Sequence, residues 1–238
     1  MNQILITEKV YVTPELKRKK VMYKILFIIS VLCVIVLSSY YLYTGYDRDR
    51  HEEISQEILA GILDQTTIKT DDGILRVVLE EIDEENTQQE GATSEEQETT
   101  QSYQANNGVT YVTEATLNIP ALDINYPVLS ETSEELLMVS LNKYWGPSPN
   151  EIGNYCIVGH NYTNKKMFGR LAEIKNGDTV ELTSTDGRTV NYVVYNKYIV
   201  EPDDVACTSQ LTNGQREVTL ITCTNHGKQR LVVKAREV

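Results

Sequence analysis

Hydrophobic and polar positions along the chain change pattern three times. Residues 25–43, ILFIISVLCVIVLSSYYLY, carry no charge. At 1.5 Å per residue a helix of that length covers about 28 Å, close to the hydrocarbon thickness of a bilayer. Residues 51–63 then place Ile54, Ile58, Leu59 and Ile62 at helical spacing, and 74–82 form a second short apolar-faced stretch. From 80 to 100 Glu, Gln and Thr dominate, with Ile82 the only large apolar residue. Such a stretch buries too little surface to offset chain entropy and is expected to be disordered. From Tyr111 onward, β-branched and aromatic runs predict strands near 112–119, 122–128, 154–159, 178–183, 188–200, 217–223 and 229–236. Turn signals at Asn176-Gly177-Asp178, Asp186-Gly187 and Asn213-Gly214 separate several of them. Residues 166–174 read as one short helix. This pattern predicts an all-β closed barrel of seven to eight strands with one or two short helices, not βαβ units.

Charge sharpens the division. The 238 residues carry a net charge of −12, which argues against a nucleic-acid binder. Residues 1–44 hold six basic and two acidic residues, and 45–109 hold four against seventeen. Lys17, Arg18, Lys19, Lys20 and Lys24 precede the apolar run, whereas Asp47, Arg48, Asp49 and Arg50 nearly cancel after it. That asymmetry predicts a single-pass anchor with residues 1–24 cytoplasmic and all that follows extracellular. Tyr40, Tyr41 and Tyr43 suit the outer interface. The run is longer than the core of a signal peptide, and no small-x-small cleavage site follows it. The expected organisation is a cytoplasmic tail 1–24, a transmembrane anchor 25–43, an acidic, partly helical and partly disordered stalk 44–109, and a β domain 110–238. Within the stalk, a plain spacer and a short helix docked on the domain are both compatible with the pattern.

The candidate chemistry is sparse. Three cysteines, Cys156, Cys207 and Cys223, lie beyond the anchor, so at least one thiol is unpaired. Cys223 ends the strand-like run 217–223. Nucleophilic cysteine chemistry also needs a proton donor or acceptor and a cation for the oxyanion, and His160, His226 and Arg230 are the candidates.

The segment Thr219-Leu220-Ile221-Thr222-Cys223, followed by a turn and Arg230, resembles the TLxTC signature of the sortase family with its downstream Arg. Residues 154–160, ending in Gly159-His160, look like the stretch that delivers the sortase His, and 119–128 are similar to the first strands of that barrel. The resemblance covers residues 110–238. It implies a thiol transpeptidase of the Gram-positive cell surface that needs no cofactor. Cys223 would form a thioacyl enzyme with an LPxTG-like sorting signal, and a cell-wall precursor amine would resolve it. His160 would move the protons, Arg230 would hold substrate and oxyanion, and Thr222 would line the oxyanion site as a substrate-binding residue. The implied partners are surface proteins with a C-terminal sorting signal, a peptidoglycan precursor amine and the membrane.

Each of these residues has a rival reading. Local spacing makes His226 tempting, but catalytic partners meet in space. Arg236 is the fallback for Arg230, and Cys156 reads as core. A zinc site from Cys156, His160, Cys223 and His226 is disfavoured, because residues four apart on a strand are about 13 Å apart. A non-catalytic tethered surface domain would have no use for the Cys, His and Arg. Glu201, Asp203 and Asp204 are read as solvated loop carboxylates, and no metal is expected. The chain has no Asp-Pro lid motif and ends soon after the last strand, which favours protein anchoring over pilin polymerisation.

Overall fold

Residues 14–71 and 100–238 are described by the computed structural model. Their strands carry the period-two burial that one-sided packing on a core requires. In β6 (Thr179–Ser184) buried positions alternate with half-exposed ones along the whole strand. The other strands are β1 (Gln101–Gln104), β2 (Thr110–Ile119), β3 (Ile124–Leu129), β4 (Leu141–Trp145), β5 (Gly153–Val158), β7 (Thr189–Val200), β8 (Arg216–Thr224) and β9 (Gln229–Glu237). They form one sheet in the order β1-β2-β3-β4-β5-β8-β9-β7-β6, and β2 also pairs with β6. That last pairing closes β2 to β9 into an eight-stranded barrel, with β1 appended to β2. Closure removes the open edges that would otherwise template aggregation. The neighbours are antiparallel except β3–β4 and β5–β8. Leu117, Ile119, Phe168, Leu171, Val218, Leu220 and Val233 are among the side chains that fill the interior.

Each predicted strand is present, with ends shifted by a few residues. The predicted helix at 166–174 is a pair of 3₁₀ turns over Phe168–Glu173. Sequence pattern missed β1, β4 and the short helix α2 (Glu134–Val139), whose Ser133 side chain caps the Leu136 N–H. The apolar stretch at 74–82 and most of the acidic run lie outside the described residues.

Helix α1 (Pro14–Asp71) contributes to two units, 1–49 and 50–238. In the first, the apolar residues of 25–43 are exposed on all sides, and the helix is long and apolar enough to cross a membrane. In the second, residues 50–63 behave differently. Ile54, Ile58 and Ile62 are buried in a cluster with Ala105, Tyr111, Leu129 and Val139 on the outside of the barrel. Each such side chain removed from water contributes about 1.5–3 kcal/mol. Gly61 permits the close approach, since a Cβ there would meet the Tyr103 ring at 2.1 Å. Polar contacts fix the register: Tyr126 Oη donates to Glu52 Oε1 at 2.7 Å, Ser55 Oγ to Ser140 Oγ at 3.1 Å, and Tyr103 Oη to Glu57 Oε1 at 3.2 Å. β1 and the helical stretch 50–63, assigned from composition to the stalk, pack on the barrel.

Candidate active site

Strand register builds the site. In the parallel pair β5–β8, Val158 stands opposite Ile221, and the Gly159 N–H donates to the Ile221 carbonyl at 3.2 Å. Continuing that register by two residues brings His160 level with Cys223. In the antiparallel pair β8–β9, Cys223 stands directly opposite Arg230. Opposed residues share a face of the sheet. The three predicted residues thus lie at one end of three neighbouring strands, on the outer face of the barrel. A Cβ on Gly159 would meet Leu141 and Phe168 at 2.4 and 2.9 Å, so the residue before His160 is held to glycine by close packing.

Two strand positions earlier, the same outer face carries Val158, Ile221 and Val232. They pack with Cys207, Tyr198 and Val200 beneath the segment 201–215. Asn154 pins that segment. Its side-chain amide donates to the Cys207 and Ser209 carbonyls at 2.9 and 3.1 Å, and its backbone exchanges two hydrogen bonds with the Gln210 side chain. Between segment and barrel runs a groove of about 230 Å³ lined by Tyr144, Val158, Val205, Cys207, Ile221 and Arg230, among others. Its lining is mixed: valine and isoleucine side chains alternate with Tyr144, Asp204 and Thr208, and Arg230 supplies a cation.

Electrostatics separate the groups further. His160 is half-buried, and that burial alone lowers its pKa below the ordinary imidazole value. The Tyr162 ring lies 5.1 Å from it, tilted. The Arg230 guanidinium donates to the Gly227 and Gln229 carbonyls at 2.9 and 3.1 Å, which anchors it at the site. Cys223 is partly exposed and free. Cys156 is fully buried in mid-strand, and burial, with Cys207 adding to it, pushes its thiol up to about 12. That thiol is inert at neutral pH.

The strands and the β8–β9 turn place the remaining candidates. Thr222 is buried, and its hydroxyl donates to the Gly159 carbonyl at 2.7 Å. That bond fastens the His160 strand to the Cys223 strand. His226 is exposed on the β8–β9 turn with a left-handed φ of 54°. The zinc set is not assembled: Cys156 pairs with Thr219, four residues back along β8 from Cys223. Among the described residues no group of three or more metal-type ligands comes together. Sequence reasoning missed Asn161, whose side-chain amide donates to the Cys223 carbonyl at 2.9 Å. The only signal in the chain was its place beside His160.

Known proteins agree with this architecture. A family model described as a sortase domain matches residues 117–238. Sortase A of Bacillus anthracis is 31% identical over 113 residues, covering 45% of this chain and 50% of that protein. The chain thus spans about half the length of this curated relative. Among solved structures, sortase A from Corynebacterium diphtheriae is similar at a TM-score of 0.50 and 27% identity, over 54% of this chain and 61% of that one. Its lid mutant is similar at 0.50 and 26%, over 56% and 74%. With more than half of its residues matched by the family model, the chain belongs to the sortase family.

Proposed function

We propose that this chain is a membrane-tethered cysteine transpeptidase that anchors surface proteins to the cell wall. The supporting observation is the strand register that brings His160, Cys223 and Arg230 to one end of one face, beside a groove. A sorting-signal peptide of LPxTG type lies in the groove with its Thr carbonyl at Cys223. The Cys223 thiolate attacks that carbon and forms a tetrahedral oxyanion. Arg230, permanently charged and held by two carbonyls, stabilises it. Collapse breaks the Thr–Gly bond, His160 protonates the departing amine, and a thioester remains on Cys223. An incoming cell-wall amine then gives a proton to His160, attacks the thioester and restores the free thiol. Side chains of this chain carry every step. The basic residues before 25 favour a cytoplasmic N-terminus and an extracellular barrel.

The test uses the full chain in detergent micelles with a library of sorting-signal peptides and a panel of amines. Cys223-dependent cleavage, with products carrying the amine, is the expected result. Activity that survives Cys223→Ala removes the mechanism. Hydrolysis that outruns transfer at saturating amine makes the chain a peptidase, and preference for a lysine side chain on a pilin makes it a polymerising enzyme.

A further inference from the structure

The ladder between β5 and β8 runs further than the backbone of β5 does. Val158 pairs with Ile221, and the Gly159 N–H continues the ladder with its bond to the Ile221 carbonyl at 3.2 Å. Along a parallel strand the N–H groups that face one neighbour recur at every second residue, so the next rung runs from residue 161 to the carbonyl of Cys223. That rung is present, but the side-chain amide of Asn161 makes it, at 2.9 Å. The backbone has turned away at this point: Asn161 forms an isolated antiparallel bridge with Met167, and the Phe168 N–H donates to the His160 carbonyl at 3.0 Å. His160 thus lies between two ties to β8. Before it, Gly159 donates to Ile221 and accepts from the Thr222 hydroxyl at 2.7 Å. After it, Asn161 holds Cys223.

We propose that Asn161 is a positioning residue for this site: its side-chain amide stands in for a backbone N–H and keeps His160 level with Cys223 while the chain leaves the sheet. The inference rests on the reading of His160 and Cys223 given above. Asparagine suits the task because its amide offers the donor of a peptide group on a short arm. A backbone rung at 161 would keep the chain running beside β8, whereas the side-chain rung lets it turn directly after His160. Both segments that the bond joins need holding. The loop after Asn161 turns through Lys165 and Met167 at positive φ (69° and 49°), and β8 leads into a turn whose Asn225 and His226 are also left-handed (49° and 54°). Such backbone persists only where surrounding contacts hold it. The groove is lined by other residues, so the bond acts on the rate of the chemical steps and not on the grip of the peptide.

The test compares the full-length wild type with Asn161→Ala, Asn161→Asp and Asn161→Gln in micelles. The side chain is exposed, so each variant is expected to keep the fold, which thermal unfolding checks. Asn161→Ala removes the donor, Asn161→Asp keeps the shape but turns an acceptor towards the carbonyl, and Asn161→Gln keeps the amide on a longer arm. Cleavage of a sorting-signal peptide is read as separate kcat and KM values. The His160 Hε1 proton, assigned by His160→Gln, is titrated by NMR in the wild type and in Asn161→Ala, which needs no activity. The expected result is a fall in kcat of about five- to tenfold for Asn161→Ala and Asn161→Asp with KM unchanged, and recovery in Asn161→Gln to within about twofold of the wild type. Burial holds the wild-type His160 midpoint below the ordinary imidazole value. In Asn161→Ala the midpoint rises towards that value as the loop admits water. Unchanged kcat and midpoint in Asn161→Ala overturn the proposal, as does a loss confined to KM, an Asn161→Asp variant as active as the wild type, or a loss that Asn161→Gln does not restore. If the wild type cleaves no sorting peptide yet the midpoint moves as stated, the proposed activity falls and the positioning residue stands.

Discussion

The barrel carries two apolar patches on its outer face, and they are covered in different ways. Tyr111, Leu129 and Val139 lie under the helical stretch 50–63, which fills the patch with Ile54, Ile58 and Ile62. Ile221, Val232 and Val158 lie under the segment 201–215, which spans them and leaves a groove of about 230 Å³ ending at Arg230. Both covers are pinned by polar contacts, Glu52 to Tyr126 in one and Gln210 to Asn154 in the other. What distinguishes them is the side chain presented inward. Three isoleucines at helical spacing complete a small core, whereas an irregular segment can hold its backbone clear of the sheet. The first arrangement stores stability, and the second leaves room for a ligand next to the thiol.

The largest effect that tests this distinction belongs to the groove side. His160→Ala is expected to lower kcat/KM by at least 10²–10³, about 2.7–4.1 kcal/mol of barrier, without changing the unfolding temperature. The wild-type pH–rate profile should show an imidazole limb below 6.5, because burial disfavours the charged ring. That limb should vanish in the variant; a limb that stays assigns the proton transfer elsewhere. On the helix side, Ile58→Ala should remove about 2–3.5 kcal/mol of stability, read by urea unfolding of the barrel in micelles. An unaltered midpoint would mean that the helix does not cover its patch. His226→Ala is expected to cost less than tenfold in kcat/KM, under about 1.4 kcal/mol, since the side chain stands exposed on a turn. If it proves the more damaging histidine, the site assignment is wrong while the fold stands. The smallest effect is expected for Val205→Ala, at the exposed rim of the groove: KM for a sorting peptide about threefold higher, near 0.65 kcal/mol, with stability unchanged. A stability loss there would make the segment a structural cover like the helix.

Much of this arrangement was legible because strands carry their own signature. Cys223 ends an apolar run, Arg230 begins another after a tight turn, and His160 follows a third; the choice of these three came from the resemblance to the sortase signature, and the strand pairing that brings them to one end is seen only in the structure. The docked helix was only half legible. Its stripe of Ile54, Ile58 and Ile62 announced a buried face, but the receiving surface comes from Ala105, Tyr111, Leu129 and Val139, which no local period connects. β1 was invisible because Gln101–Gln104 has almost no apolar content and owes its strand to pairing with β2. β4 escaped for a related reason, its pattern being interrupted by a register shift between Lys143 and Trp145. α2 left a signal in Ser133 ahead of two glutamates and an apolar run, a capped start that strand-focused reading passed over. The role of Thr222 came from the resemblance alone, and the bond of its hydroxyl to the Gly159 carbonyl, which joins two strands distant in sequence, left no local signal. The same packing bears on what a deletion of residues 45–105 would do. The acidic composition alone predicts a dispensable spacer, and the buried isoleucines argue that this deletion destabilises the barrel.

The claim on which the account turns is that Cys223 becomes acylated. Intact-protein mass spectrometry of the full chain, quenched in acid during turnover of a sorting-signal peptide, tests it directly. The account predicts an added mass equal to the peptide up to its Thr, located on Cys223, discharged by hydroxylamine or a donor amine and missing in Cys223→Ala. An adduct on another residue, or amine-bearing product formed with no adduct on Cys223 and undiminished in Cys223→Ala, would contradict it.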